Sequence, residues 1–247
     1  DELINYIDWT PFFHAWELKG KYPDIFSNKK YGSQAKVLFS DCQKILKEII
    51  AKKKISAKGV IGFFPAYAKN EIVFVEDTEL HFPRQLIDKG RKEYNYCLAD
   101  YIAPKDDYIG MFAVTSGIGL ESYIQEYNDN DDDYNSIMAK IIADRLVEAF
   151  SEKLHELVRK EFWGYSANEN YDIYELINEK YIGIRPAPGY PACPDHTYKD
   201  IIWKLLDVEK NTDIKLTETK SMYPGASVCG FYFSHPNSKY FSTIANE

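Results

Sequence analysis

No stretch of the chain is apolar for the ~20 residues that a membrane-spanning helix needs, so a helical crossing of a bilayer is not expected. A basic stripe is missing too. Lys and Arg number 30 against 38 Asp and Glu, a net charge of -8, and an acidic surface repels phosphate, which argues against a nucleic-acid partner. Cysteine is scarce: Cys42, Cys97, Cys193 and Cys229 are scattered and never form a C-x-x-C pair. They make no disulfide framework, and reduced thiols in a cytoplasmic protein are the expected state. The common catalytic signatures are absent as well, namely a P-loop, G-x-S-x-G, H-E-x-x-H and a strand-turn-helix G-x-G-x-x-G. Gly117-Ile-Gly119 is read as a simple turn. No internal repeat and no Pro/Gly/Ser linker divides the chain. It opens on Asp1 without Met or a signal peptide and stops at Asn246-Glu247, and is read as a module of something longer.

What is present is core-forming material. The 247 residues are 45% hydrophobic and 15% aromatic, with 20 Tyr, which excludes disorder as the main state. A chain of this length buries roughly 70–75% of its unfolded surface. Leu38, Cys42, Ile45 and Ile49 recur at helical spacing and predict a helix over about Gln34 to Lys53. Its end, Lys52 to Lys54, suits the negative pole of the dipole as a solvated helix end. Short apolar runs predict strands at Gly59 to Phe64 (ended by Pro65), Glu71 to Glu76, Tyr108 to Val114, Ser227 to Phe233 and Lys239 to Ile244.

A long helix is expected from Tyr134 to Glu161, with Met138, Ile142, Leu146, Ala149, Phe150, Leu154 and Leu157 on its apolar face. Asp144, Glu148, Glu152, His155 and Arg159 make the polar face, where Ile137 and Ile141 intrude and leave Glu148 half solvated. The acidic run Asp129 to Asp133 reads as a loop and helix N-terminus, since it lacks the alternation and glycine of a calcium loop. A shorter helix is expected over Tyr171 to Lys180, and another after Asp195 or Thr197, with Ile201, Ile202, Leu205 and Leu206 as core positions. Strands scattered among long helices, without a βαβ rhythm, favour an α+β fold with a largely antiparallel sheet.

Between two of these helices, residues 183–194 hold four prolines and two glycines. Such a segment cannot continue a helix or lie centrally in a sheet. Its backbone is stiff and extended, with its few polar groups able to face a ligand. Arg185 enters it with a fork suited to a carboxylate, and Tyr190 follows Gly189, where close backbone approach is possible. A ligand site is preferred over a mere connector, because stiff loops preorganise sites at low entropic cost. Cys193 and His196 stand at metal-ligand spacing, with Cys229 and His235 downstream, but no finger-like second pair follows, and a structural role is preferred to zinc.

The segment Arg185-Pro-Ala-Pro-Gly-Tyr190-Pro-Ala-Cys-Pro-Asp-His-Thr197 resembles the R-x-x-x-G-Y region of the activation domain of cobalamin-dependent methionine synthase. The resemblance covers essentially the whole chain, 1–247. Tyr6 to Phe13, Asn95 to Asp100, Ala143 to Leu146, Tyr223 to Ser227 and Tyr232 to Pro236 follow in order. Two positions depart: Tyr223 stands where the family often has Trp, and Phe241 where it usually has Tyr, so a hydroxyl contact is lost there.

The resemblance implies a single curved α+β domain, a largely antiparallel sheet flanked by helices. It implies that the domain binds S-adenosylmethionine and presents its methyl group to cob(II)alamin, which with one electron from a flavodoxin-type or diflavin reductase regenerates methylcobalamin. The cobalamin is held mainly by a neighbouring domain of the same protein, because the D-x-H-x-x-G motif is absent from this chain. The isolated methyltransferase module is therefore expected to be catalytically incomplete and to bind cobalamin weakly. The implied ligand contacts are Arg185 for the carboxylate, Asp8 for the ammonium or an adenosine donor, Glu148 and Glu179 near the sulfonium, and Tyr240 with Phe241. Tyr190 would lie nearest the corrin. Helix-surface carboxylates remain the plainer reading of Glu148 and Glu179. No side chain is expected to act as nucleophile, and no metal ligand is assigned. At ~0.3 kcal/mol for each of about 27 heavy atoms, the ligand would bind with ~8 kcal/mol, near micromolar. A Tyr-rich docking module that binds no small molecule is the alternative. Lys52 to Lys54 is the candidate patch for an acidic reductase.

Overall fold

Helix α2 (Gly32–Lys52) turns spacing directly into packing: Leu38, Cys42, Ile45 and Ile49 are all buried, as their period predicts. The computed structural model describes residues 2–86 and 94–243. They divide into two compact units. The first comprises Asp1–Lys58, Val114–Leu154 and Met222–Ser227; the second comprises Gly59–Ala113, His155–Ser221 and Val228–Glu247.

In the first unit, α1 (Thr10–Ala15) carries Pro11 in its first turn, where a missing N–H removes no helical bond. It delivers Phe12 and Phe13, both fully buried, into an aromatic cluster. The Phe13 ring lies 5.2 Å from Phe12, 5.7 Å from Phe26, 6.1 Å from Phe39 and 6.4 Å from Tyr22. Helix α3 (Leu120–Asn128), which no period in the sequence announced, starts after Gly119. That glycine has φ +87°, and a Cβ there would stand 2.7 Å from the Lys54 carbonyl oxygen, so the turn demands glycine. The acidic run then behaves as expected. Asp132 Oδ1 accepts the Asn135 backbone N–H at 3.1 Å and caps α4 (Asp133–Leu157).

A five-stranded sheet has the order β3-β2-β1-β4-β7 and makes the fold α+β, as expected. Its strands are β1 (Ser56–Lys69), β2 (Ile72–Val75), β3 (Thr78–His81), β4 (Asp107–Ile118) and β7 (Ser227–Tyr232). Two short strands, β5 (Lys215–Leu216) and β6 (Met222–Tyr223), lie outside it. The β1–β2 and β2–β3 pairs are antiparallel, with Ala66 opposite Val75 and Ile72 opposite His81. In β4, every residue from Ile109 to Gly117 is buried, so the strand reads as a continuous apolar run rather than an alternating one.

Several expectations need correcting. Pro65 does not end β1, which continues to Lys69; its pairing with β2 begins only at Ala66, so the missing N–H breaks no bond of that ladder. Strand β3 escaped notice because its four residues, Thr-Glu-Leu-His, are mostly polar. Segment 239–243 is not a strand, and Ile244 lies outside the described residues. The helix expected over 171–180 shortens to α5 (Ile173–Ile177), capped by Asp172, whose side chain accepts from Glu175 N–H. Helices α6 (Tyr198–Leu206) and α7 (Val208–Thr212) follow. Ile202 and Leu206 are buried, Ile201 and Leu205 only half so. Thr197 stands at the α6 N-cap without a side-chain bond, while Asp195 accepts its N–H at 2.7 Å.

Phe13→Ala should destabilise the protein by about 3–5 kcal/mol, the cost of an aromatic cavity that neighbouring rings cannot refill. Urea unfolding should show the lower midpoint with an unchanged slope; a loss below ~1 kcal/mol would mean that the cluster is not packed as described.

Candidate functional site

The proline-rich segment pairs briefly along the β7 edge, through an isolated bridge, before it becomes a loop. Ile184 exchanges two hydrogen bonds with Phe233, each 3.0 Å, and Pro186 O accepts Phe231 N–H at 3.0 Å. The outer edge of β7 is thereby covered. This corrects the expectation that the segment's polar backbone groups face a ligand, since those of Ile184 and Pro186 are spent on the sheet. Gly183 enters with φ +90°, and a Cβ there would meet Tyr165 Oη at 2.5 Å and Phe233 O at 2.8 Å.

Beyond Pro186 the chain closes a tight turn. Gly189 N–H donates to Cys193 O at 2.8 Å, and Cys193 N–H to Tyr190 O at 2.8 Å. Tyr190 sits on this turn with 62% of its surface exposed. The C-terminal segment ties the turn down: Thr243 donates to Pro191 O from both N (3.0 Å) and Oγ1 (2.9 Å). Gln85 holds that segment in turn, donating to Ser242 O at 2.7 Å and accepting Tyr96 N–H at 3.0 Å. These bonds reach loops rather than a neighbouring strand, which is why 239–243 forms no β-ladder.

Arg185 sits where these tethers meet. Its backbone N–H donates to Tyr240 Oη at 2.9 Å. Its Nη1 donates to Tyr181 Oη at 2.7 Å and lies 3.2 Å from His155 Nδ1. His155 is fully buried, stacked on Tyr232 at 5.0 Å and 23°, with Tyr181 edge-on at 5.0 Å and 80°. Burial above all, then the charges of Arg185 and Arg159, hold its pKa well below the ordinary 6.5. The imidazole is therefore neutral, with Nδ1 accepting from Arg185 and the hydrogen on Nε2, 3.3 Å from Tyr165 Oη. Behind Tyr181 lies a second guanidinium. Arg159 Cζ is 4.0 Å above the Tyr181 ring centroid, and Nε bonds both Glu169 oxygens at 2.8 and 3.0 Å.

This cluster overturns the polar face assigned to α4. Asp144 and Glu148 are exposed, but Glu152, His155 and Arg159 are buried. The helix runs on into a π turn, Val158–Phe162, and its last polar side chains meet aromatic rings and Glu169 instead of water. His155, Arg159, Tyr165 and Tyr181 are the residues that sequence reasoning missed. Their only signal was the spacing of His155 and Arg159, four apart on one helix face, which a solvated stripe shows equally.

The expected site residues fall in both units. Arg185, Glu179, Tyr190, Tyr240 and Phe241 belong to the second, and Asp8 and Glu148 to the first. Arg185 and Tyr240 are in direct contact. Phe241 is half-buried, its ring 5.7 Å from Tyr96. Glu179 is exposed and left-handed, with φ 54°. Glu148 is exposed rather than half solvated, and Ile137 is itself 46% exposed. Asp8 is half-buried, and Oδ1 accepts the Thr10 N–H at 2.9 Å, opening α1. All four cysteines are free and buried. Cys193, His196, Cys229 and His235 do not assemble: among the described residues no three His, Cys, Asp or Glu side chains could hold a metal ion. Among the same residues no helix is long and apolar enough to cross a membrane.

The chain is thus an α+β protein in which an arginine on a stiff loop is held by tyrosines. Residues 1–246 match the family model described as vitamin B12 dependent methionine synthase, activation domain. A solved structure of the MetH reactivation domain bound to AdoHcy is similar at 50% identity and a TM-score of 0.94, covering 98% of this chain and 78% of that one. The chain belongs to the activation-domain family of vitamin B12-dependent methionine synthases.

The buried imidazole predicts a pH dependence. In the unfolded chain His155 titrates near the ordinary 6.5, whereas in the folded chain its pKa is lower. Below pH ~6.5 the unfolded state therefore binds more protons, and His155 should make stability fall by up to ~1.4 kcal/mol per pH unit as acid is added. Urea midpoints measured from pH 7 to 5 should show a shallower fall for His155→Asn than for the wild type. Equal slopes would remove His155 as the cause.

Proposed function

We propose that this chain binds S-adenosylmethionine and supports reductive methylation of cob(II)alamin, reactivating the methionine synthase of which such a domain is part. The observation that carries the reading is Arg185, whose backbone and side chain are both held, by Tyr240 and by Tyr181 with His155. A guanidinium fixed in this way suits the carboxylate of an amino-acid ligand. The AdoHcy-bound reactivation domain, at 50% identity, supports the same ligand class.

The bound groups supply the chemistry: a sulfonium methyl on one side and, after one-electron reduction, a cobalt nucleophile held by a neighbouring domain on the other. This chain's residues bind and orient. Arg185 takes the carboxylate. Asp8 accepts from the ammonium or an adenosine donor, although one of its oxygens also serves the Thr10 N–H. Tyr240 and Phe241 contribute packing and backbone contact. Glu148 and Glu179 supply negative charge for the sulfonium, and exposed Tyr190 faces the corrin. The electron comes from a flavodoxin-type or diflavin reductase. For its docking, the Lys52 to Lys54 run is weaker than it looked, because Lys52 pairs with Glu48 at 2.9 Å and Lys54 with Glu126 at 2.5 Å.

Calorimetry with S-adenosylhomocysteine should give 1:1 binding that Arg185→Ala weakens at least tenfold, or ~1.4 kcal/mol. A folded sample that binds neither this ligand nor S-adenosylmethionine would refute the proposal and leave a docking module.

A further inference from the structure

An arginine side chain is rich in rotamers, and a ligand that must freeze it loses affinity in doing so. In this protein the freezing is done in advance by two acceptors. The two hydrogens of Nη1 lie in the guanidinium plane, and two acceptors meet that nitrogen, Tyr181 Oη at 2.7 Å and His155 Nδ1 at 3.2 Å. Two bonds from one planar nitrogen determine the plane, and with it the direction of the whole fork.

Each acceptor is itself immobilised. Tyr181 is buried, with the Arg159 guanidinium 4.0 Å above its ring centroid. Arg159 is anchored by Glu169, and both side chains of that pair are buried. The His155 ring lies between Tyr232 and the edge of Tyr181, and its Nε2 faces Tyr165 Oη. A guanidinium nitrogen only donates, so Arg185 itself fixes Nδ1 as the acceptor and leaves the hydrogen on Nε2, where Tyr165 Oη can accept it.

We propose that His155 and Tyr181 are positioning residues that fix the Arg185 fork, so that discrimination for a ligand carboxylate depends on both of them. The inference rests on the reading of Arg185 as the carboxylate-binding group. It goes further by assigning the source of that selectivity to two residues that need not touch the ligand.

The test pairs variants with ligands. Calorimetry on the 247-residue chain would use S-adenosylhomocysteine and its decarboxylated analogue, which differ only in the carboxylate. Arg185→Ala should weaken the first at least tenfold and the second less than twofold. His155→Leu and Tyr181→Phe should each weaken S-adenosylhomocysteine three- to tenfold and leave the analogue within twofold. His155→Asn, which keeps an acceptor near the Nδ1 position, should recover most of the loss. Equal losses for both ligands would mark the two residues as merely structural and overturn the proposal. So would unchanged discrimination in His155→Leu and Tyr181→Phe while Arg185→Ala discriminates. If Arg185→Ala itself fails to discriminate, the carboxylate reading falls and takes this inference with it. Tyr181→Phe removes one oxygen and keeps the ring, so it carries the test even where His155→Leu does not fold.

Discussion

Two guanidinium groups flank the Tyr181 ring, and one of them is within hydrogen-bond reach of a fully buried imidazole. That arrangement holds only while His155 is uncharged. A proton on Nδ1 would replace an acceptor with a donor facing Arg185 and add a third cation to a region with little water to screen it. Neutrality is secured by burial before any charge acts, since desolvation is the largest influence on the imidazole. The packing of Tyr232 and Tyr181 around the ring is therefore electrostatic machinery as much as core. The same rings that exclude water keep Nδ1 available to Arg185.

The register of the proline-rich segment decides which way Arg185 faces. Ile184 and Pro186 direct their bonding groups at Phe233, just past β7, and at Phe231 within it, so the N–H of Arg185, one residue out of phase, points away from the sheet and meets Tyr240. A slip by one residue would turn Arg185 toward the strand and lose every contact described for it. Prolines suit this role because an edge partner needs only alternate bonding groups. Pro186 offers a carbonyl, and no N–H is asked of it. The stiffness seen in the sequence thus closes the β7 edge and fixes the backbone of Arg185.

Much of the scaffold was legible because its residues answer to one-dimensional periods. Helix α2 and the apolar face of α4 followed from 3.6-residue spacing, and β2, β4 and β7 from short apolar runs. Pro65 and the mostly polar β3 were not legible. Whether a proline breaks a strand depends on where its neighbour begins, and a short edge strand carries little hydrophobic signal. The site divided along the same line. Arg185, Tyr190 and Tyr240 stood out through composition and family resemblance. His155 and Arg159 looked like a solvated stripe, because nothing local records that Tyr165, Glu169, Tyr181 and Tyr232 close over them. Burial of a polar helix face is a tertiary fact, and residues 10 to 77 positions away supply it.

The Arg159–Glu169 pair is hard to justify as a stability device. Both side chains are buried, and among the described residues Arg159 Nη1 and Nη2 have no hydrogen-bond partner. Desolvating such a pair costs several kcal/mol per ion, so well-packed apolar side chains of similar volume would often stabilise the fold as well or better. What an apolar replacement cannot do is place a cation on the Tyr181 ring. There the guanidinium holds the ring by its face, a contact worth ~2 kcal/mol or more when desolvated, while the hydroxyl at the far end accepts from Arg185. Glu169 keeps Arg159 charged and in place, Arg159 keeps Tyr181 flat beneath it, and Tyr181 with His155 keeps Arg185 aimed. Each link gives up some stability for direction, which is what the carboxylate-binding role proposed for Arg185 would require.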